Sequence, residues 1–391
     1  MIQIPDDLHR HLVALRRDLH RQPELSGQEQ ETAQRVCAEL DALHVSHRSG
    51  VGGHGVVADL PGPDGVPAVA LRADMDALPL TEATGLPYAS ERPGVMHACG
   101  HDGHVAILVG AATLLAAEQR LRAPVRLLFQ PAEEVGEGAA ALIAAGALDG
   151  VGMIFGGHID PSHDPGTLVV SEGPVNASTD DFQIDLEGPG GHGARPHETV
   201  DPILAAATIV QALQSLITRD RDPTRAGVLT VGVLRGGTAP NIIPTETRIA
   251  GTLRAQDPAV RRQLQDGVRR VAELVAAAHR VRVRVQLRGG TPPVVNRGRP
   301  LELAREAAAS VVGAERVESL RTGNMGGEDF GFYLESTPGC FIRYGARPAG
   351  DRFPAHSSRF WWDETAMAVG AAFLHRVTML AAADLADAAA G

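Results

Sequence analysis

The chain has 391 residues, a formal net charge of −11 and 44% hydrophobic residues. That length supports one large core or, more readily, two smaller ones, and the acidic balance argues against nucleic acid or an anionic membrane as the main partner. All 36 basic residues are arginine, which removes Schiff-base, phosphate-loop and carbamylated-lysine chemistry. Cys37, Cys99 and Cys340 are too few and too scattered for a disulfide framework. The first twenty residues are broken by charge, so no signal peptide is expected. No uncharged run of about 18 apolar residues marks a membrane span. A reducing, cytoplasmic setting is the expectation.

Residues 6–20 and 29–43 read as amphipathic helices, and residues 55–60 and 68–73 as strands. Asp74 and Asp76 follow the second strand, where open α/β sheets place their ligands. Residues 96–104 (MHACGHDGH) hold three histidines, a cysteine and an aspartate at a turn, with a helix expected over 104–117. A thiolate beside imidazoles favours zinc or a neighbouring transition metal over magnesium or calcium. Residues 125–129 form a strand that runs into Glu133 and Glu134. In extended chain these two would point to opposite sides, one toward a metal and one toward substrate as a base. Residues 153–157 form a third such strand, with His158 at its end. His97 and His104 are expected to shape the metal turn, and His20 to be an ordinary surface or core residue. Trp361 and Trp362 are expected to pack against the last helix.

After residue 178 the pattern changes. Strands at 180–186, 228–234, 246–253 and 281–287 and helices at 202–217 and 258–278 give the order β-α-β-β-α-β, a ferredoxin-like unit. The expected organisation is a catalytic domain over 1–178 and 291–391, with an inserted lid and dimerisation domain over 179–290. A helix at 300–312, a strand at 341–345, His356 and a helix from 364 complete the chain, its tail beyond 381 expected to fray. Two rival readings of the cluster stay open: Cys99 as a nucleophile with His101 or His104 as base, and a structural zinc in a binding module.

The motifs resemble those of M20-type metallopeptidases, in the aminoacylase and hippurate-hydrolase-like branch. They are 72–79 (RADMDALP), 96–102 (MHACGHD), 130–134 (QPAEE), 190–197 (GGHGARPH), 241–244 (NIIP), 251–254 (GTLR), 327–330 (GEDF) and His356-Ser357. The resemblance implies an α/β catalytic domain with a central mixed sheet and the inserted domain as lid. It implies two divalent metal ions per subunit (zinc, or manganese, cobalt or nickel) held by Cys99, His101, Glu134, His158 and His356. Glu133 would be the general base and Asp76 the carboxylate that orients it or a ligand. His192 would polarise the scissile carbonyl, reaching the partner subunit's site in a homodimer. Asn241, Arg254 and Gly327 would bind substrate. The implied reaction is amide hydrolysis of N-acyl amino acids, with short peptides or aminobenzoyl conjugates as the alternative. Asp74 stands where much of the family has a metal histidine and is not expected to be a ligand. Ser358 replaces a usual proline, which is expected to loosen the loop that carries His356.

Overall fold

The computed structural model describes residues 4–390. In chain order its elements are α1 (Asp6–Arg21), α2 (Gln30–Ala42), β1 (Ser46–Val51), β2 (Gly55–Leu60), β3 (Ala68–Asp74), α3 (His101–Ala116), β4 (Val125–Gln130), α4 (Gly138–Ala144), β5 (Val151–Asp160), β6 (Leu168–Val169), β7 (Gly173–Asn176), β8 (Ser178–Glu187), β9 (Gly191–His192), α5 (Pro202–Ser215), β10 (Gly227–Gly236), β11 (Ile242–Ile243), β12 (Glu246–Ala255), α6 (Pro258–His279), β13 (Arg282–Gly289), β14 (Val294–Asn296), α7 (Gly298–Val312), β15 (Val317–Glu318), α8 (Gly331–Ser336), β16 (Gly339–Gly345) and α9 (Ala366–Ala390). They form two compact units, the first over residues 4–173, 295–322 and 329–390, the second over Pro174–Val294 with Gly323–Glu328.

The first unit is built on an eight-stranded sheet among the described residues, in the order β1-β2-β4-β3-β5-β16-β6-β15. Its centre is parallel: β3 pairs with β4 and β5, and β5 with β16. β1 and β2 make an antiparallel margin. Every residue of β3 and β16 is buried, as expected for parallel strands covered on both faces. α3 is buried on nearly all sides, so its apolar residues run around the helix rather than along one stripe. α9 is long and apolar enough to cross a membrane by composition, but 61% of its apolar window is buried, and Met367, Phe373, Leu374 and Val377 lie in the core. It is a core helix, and it stays helical to Ala390 instead of fraying.

Two further differences from the sequence reading matter for the site. α3 begins at His101, because Gly100 takes a left-handed φ of 94° and turns the chain into the helix there. β5 does not stop before His158 but runs on to Asp160. The adjacent Gly156 and Gly157 are interior: a Cβ at Gly156 would lie 2.9 Å from the Phe330 ring, and one at Gly157 2.6 Å from the Tyr344 ring. They make room for aromatic rings and do not end the strand.

The second unit is a four-stranded antiparallel sheet, β10-β12-β8-β13, with α5 and α6 on one face. Phe182, Ile184 and Leu186 alternate inward along β8 and join Ile209, Leu213, Leu264 and Val268 of the helices. Both helices start on an aspartate cap followed by proline. Asp201 accepts from Ile203 and Leu204, and Asp257 from Ala259 and Val260. The unit is wider than residues 179–290 because Gly326 accepts from the Ala177 amide and Val175 from the Asn324 amide. Those bonds draw the 323–328 segment into it.

Candidate metal centre

All of the expected metal residues lie in the first unit. Cys99 is in the turn before α3, and His101 is the first helical residue. The Nδ1 of His101 lies 3.0 Å from the Asp76 carbonyl and 3.1 Å from its carboxylate. These acceptors fix the proton on Nδ1 and leave Nε2, which is buried and has no hydrogen-bond partner. His158 is arranged in the same way. Its Nδ1–H donates to the Ile159 carbonyl at 2.7 Å, and its Nε2 faces the Cys99 Sγ at 3.3 Å.

Glu133 and Glu134 are in a turn, not in extended chain. Ala132 has a left-handed φ of 54°, and the Gly136 amide closes the turn on the Glu133 carbonyl. The predicted opposite orientation therefore does not occur. Glu133 Oε2 and Glu134 Oε1 each lie 3.9 Å from His101 Nε2. Asp76 anchors this turn, accepting from the Glu134 amide at 2.9 Å and from Ser26 Oγ at 2.7 Å. Asp76 thus holds His101 with one oxygen and the glutamate turn with the other. The fifth residue, His356, also has a left-handed φ, 65°. Its amide is held by the Ala98 carbonyl, and its Nε2 is 3.4 Å from Glu134 Oε2. The Ser358 carbonyl accepts from the Ala83 amide at 2.7 Å.

Donor atoms of Cys99, His101 and His158 lie within 4.8 Å of one another, as do those of Cys99, Glu134 and His356 and those of His101, Glu133 and Glu134. These residues suit a metal. The set is mixed sulfur, nitrogen and carboxylate, and the Glu134 Oε1 is a second buried atom with no hydrogen-bond partner. A buried polar atom left so costs about 1–3 kcal/mol, a cost that a bound cation would remove. Burial, helped by the Glu134 carboxylate, pushes the Cys99 thiol up. Burial opposes the charge on His101, but Asp74 and Cys99 raise its pKa well above the usual histidine value. Burial, with the nearby Arg343 charge, drives His158 the other way. The bond to Glu134 raises His356.

One supporting residue, His20, is not legible in the sequence. His20 is buried and bonded to Asp102 at 2.7 Å, and Asp102 is paired with Arg16 at 2.8 Å. Burial lowers the pKa of His97, behind the turn, to about 4. Trp362 is buried under the Arg16 guanidinium, 4.8 Å from its ring, and it also abuts Gly103 of α3.

In the second unit, His192 pairs with Ile242 across the β9–β11 ribbon, and the Gly193 amide donates to the Asn241 carbonyl. His192 and Asn241 are therefore neighbours. Arg254 is on β12, donating to the Leu253 carbonyl. Gly327 backs onto Thr179, where a Cβ would fall 2.5 Å from a methyl.

The model of the peptidase family M20/M25/M40 matches residues 70–380. The chain belongs to the M20 peptidase family. It is 40% identical to an N-acetyl-L-cysteine deacetylase of Bacillus subtilis over 370 residues, 94% of this chain and 87% of that protein. It is 39% identical to an IAA-amino acid hydrolase of Arabidopsis thaliana over 335 residues, covering 84% and 76% of the two chains. A solved Bacillus subtilis structure, described as a dinuclear metal-binding peptidase of the M20 family, superposes with a TM-score of 0.84. It is 35% identical and covers 96% of this chain and 99% of its own. The M20 protein described here is a metal-dependent hydrolase of C–N amide bonds, and its large mixed sheet with flanking helices is the fold of that family.

Proposed function

We propose that this M20 protein hydrolyses N-acyl amino acids at a two-metal site held by Cys99, His101, Glu134, His158 and His356, with Glu133 as general base. The observation that carries the reading is the membership of Cys99 in two donor groups, one with His101 and His158 and one with Glu134 and His356. A shared thiolate between two ligand sets suits two adjacent cations. When bound, divalent metals polarise the scissile carbonyl and acidify water. Glu133 takes the proton from the attacking water and returns it to the leaving amine. Its place beside His101, on a turn anchored by Asp76, suits that role.

The substrate class follows the relatives named for N-acetylcysteine and IAA-amino acid conjugates. In this proposal His192 polarises the carbonyl, and Asn241, Arg254 and Gly327 contact the substrate. Dimerisation runs through the second unit. These assignments rest on the motif resemblance. The Cys99 nucleophile reading is disfavoured because burial and Glu134 keep the thiol protonated, and the thiol-to-imidazole contact is equally that of two ligands awaiting one ion.

The test is a panel of N-acetyl, N-benzoyl and indole-acetyl amino acids and dipeptides, assayed with zinc, manganese, cobalt or nickel and again after chelation. Turnover of the N-acyl amino acids that chelation abolishes and metal restores is the expected result. Activity confined to dipeptides would replace the substrate class. Activity that survives complete metal removal would refute the site.

A further inference from the structure

His104 looks like a fourth histidine ligand, since its ring stacks on His101 at 5.4 Å and meets His158 edge-on at 4.7 Å. Its hydrogen bonds say otherwise. The Ile159 amide donates to its Nε2 at 2.9 Å, and its Nδ1 lies 2.5 Å from Asp74 Oδ1. A nitrogen that accepts an N–H bond carries no proton, so the ring is neutral, with its single N–H directed to Asp74. Neither nitrogen has a lone pair left for a cation.

The position in the sheet explains the bond to Ile159. β3 pairs with β5 only as far as Arg72 and Gly156. Beyond that point β3 no longer pairs with β5, and His104 takes the Ile159 amide. Ile159 is thereby held on both sides of its own residue: its N–H on His104 and its carbonyl on the His158 Nδ1–H. Asp74 is in turn fixed by Arg72, at 2.6 Å, and Arg72 bridges to Asp329 at 2.7 Å. Asp329 accepts from Gln130 and from the Ala139 amide. One buried chain of bonds thus joins the ends of β3 and β4, the start of α4, helix α3 and strand β5.

We infer that His104 and Asp74 are positioning residues that set the His158 imidazole, and not metal ligands themselves. His104 stands in for β3 there: it locks the backbone that holds the His158 tautomer and packs the two ligand rings at a fixed spacing. Supporting partners of this kind alter metal affinity by about 10- to 100-fold when removed.

The inference rests on His158 being a ligand, so H158A is the reference. The measurements are zinc affinity by chelator competition, metals bound per chain at saturation, the ligand-field spectrum of the cobalt form, and the melting temperature of the metal-free protein. For H104F the expected result is zinc binding weakened about 10- to 100-fold with wild-type stoichiometry at saturation. The sulfur-to-cobalt band should be kept while the ligand-field bands shift. D74N, which keeps volume but disturbs the same bonds, should move affinity in the same direction. A drop in stoichiometry matching H158A would make His104 a ligand and overturn the inference. A lower melting temperature with zinc affinity unchanged in both variants would reduce it to packing and overturn it too. Wild-type stoichiometry for H158A would instead refute the ligand assignment of the proposed function.

Discussion

The two halves of the candidate metal centre are built differently. Cys99, His101 and His158 come from the buried junction of α3 and β5, where each imidazole donates Nδ1–H to a backbone carbonyl and points Nε2 inward. Glu134 and His356 come from turns. Each turn contains a non-glycine residue in the left-handed region, Ala132 in one and His356 itself in the other, and the His356 side chain is 54% exposed. Left-handed backbone at such residues costs roughly 1–2 kcal/mol each and persists where surrounding bonds over-determine it. Here those bonds run from Asp76 to Glu134 and from Ala98 to His356. One half is therefore preformed by the core, and the other is held in place by a few hydrogen bonds at the rim.

The largest effect should come from breaking the buried half at its support. Arg72 lies between Asp74 and Asp329 with all three side chains out of water. R72M leaves two buried carboxylates without their cation, and denaturant unfolding of the metal-free protein should show a loss of about 3–5 kcal/mol. A loss below about 1 kcal/mol would mean the cluster is solvated and the buried half is not preformed.

The contrast between the halves sharpens with single ligand removals. H158A and H356A should each reduce bound metal from two toward one per chain by elemental analysis. Chelation of the wild type should proceed in two phases, with the faster phase absent from H356A. Identical single-phase loss in all three proteins would erase the distinction. A smaller, graded effect concerns protons. Because the Cys99 thiol is pushed up, metal uptake must displace its proton. Apparent metal affinity should therefore fall as pH falls, by at most about tenfold per unit for one proton released. The C99S variant should lose the thiol's share of that slope in a titration from pH 8 to 6, and an unchanged slope would show that the thiol is not a ligand.

Much of the site was legible before any coordinates. The strand ends at Asp74 and Asp76, the turn at 96–104 and the paired glutamates are local patterns, and the resemblance tied them to His356. The β-α-β-β-α-β order of the second unit could likewise be read from alternation and period. What could not be read depends on distant pairing. Arg72 meets Asp329 and His20 meets Asp102, 257 and 82 positions apart, and nothing in a local pattern links them. The glutamate turn escapes a sequence reading because a left-handed alanine has no sequence signal. The full length of β5 escapes it because glycines beside Phe330 and Tyr344 look, in one dimension, like a strand end.

The most direct test of the account is E133Q, assayed for both metal content and turnover of N-acyl amino acids. Removing a base while keeping its shape should leave two metals per chain and lower kcat by about 100-fold or more. A variant that keeps both metals and wild-type turnover would contradict the account at its centre.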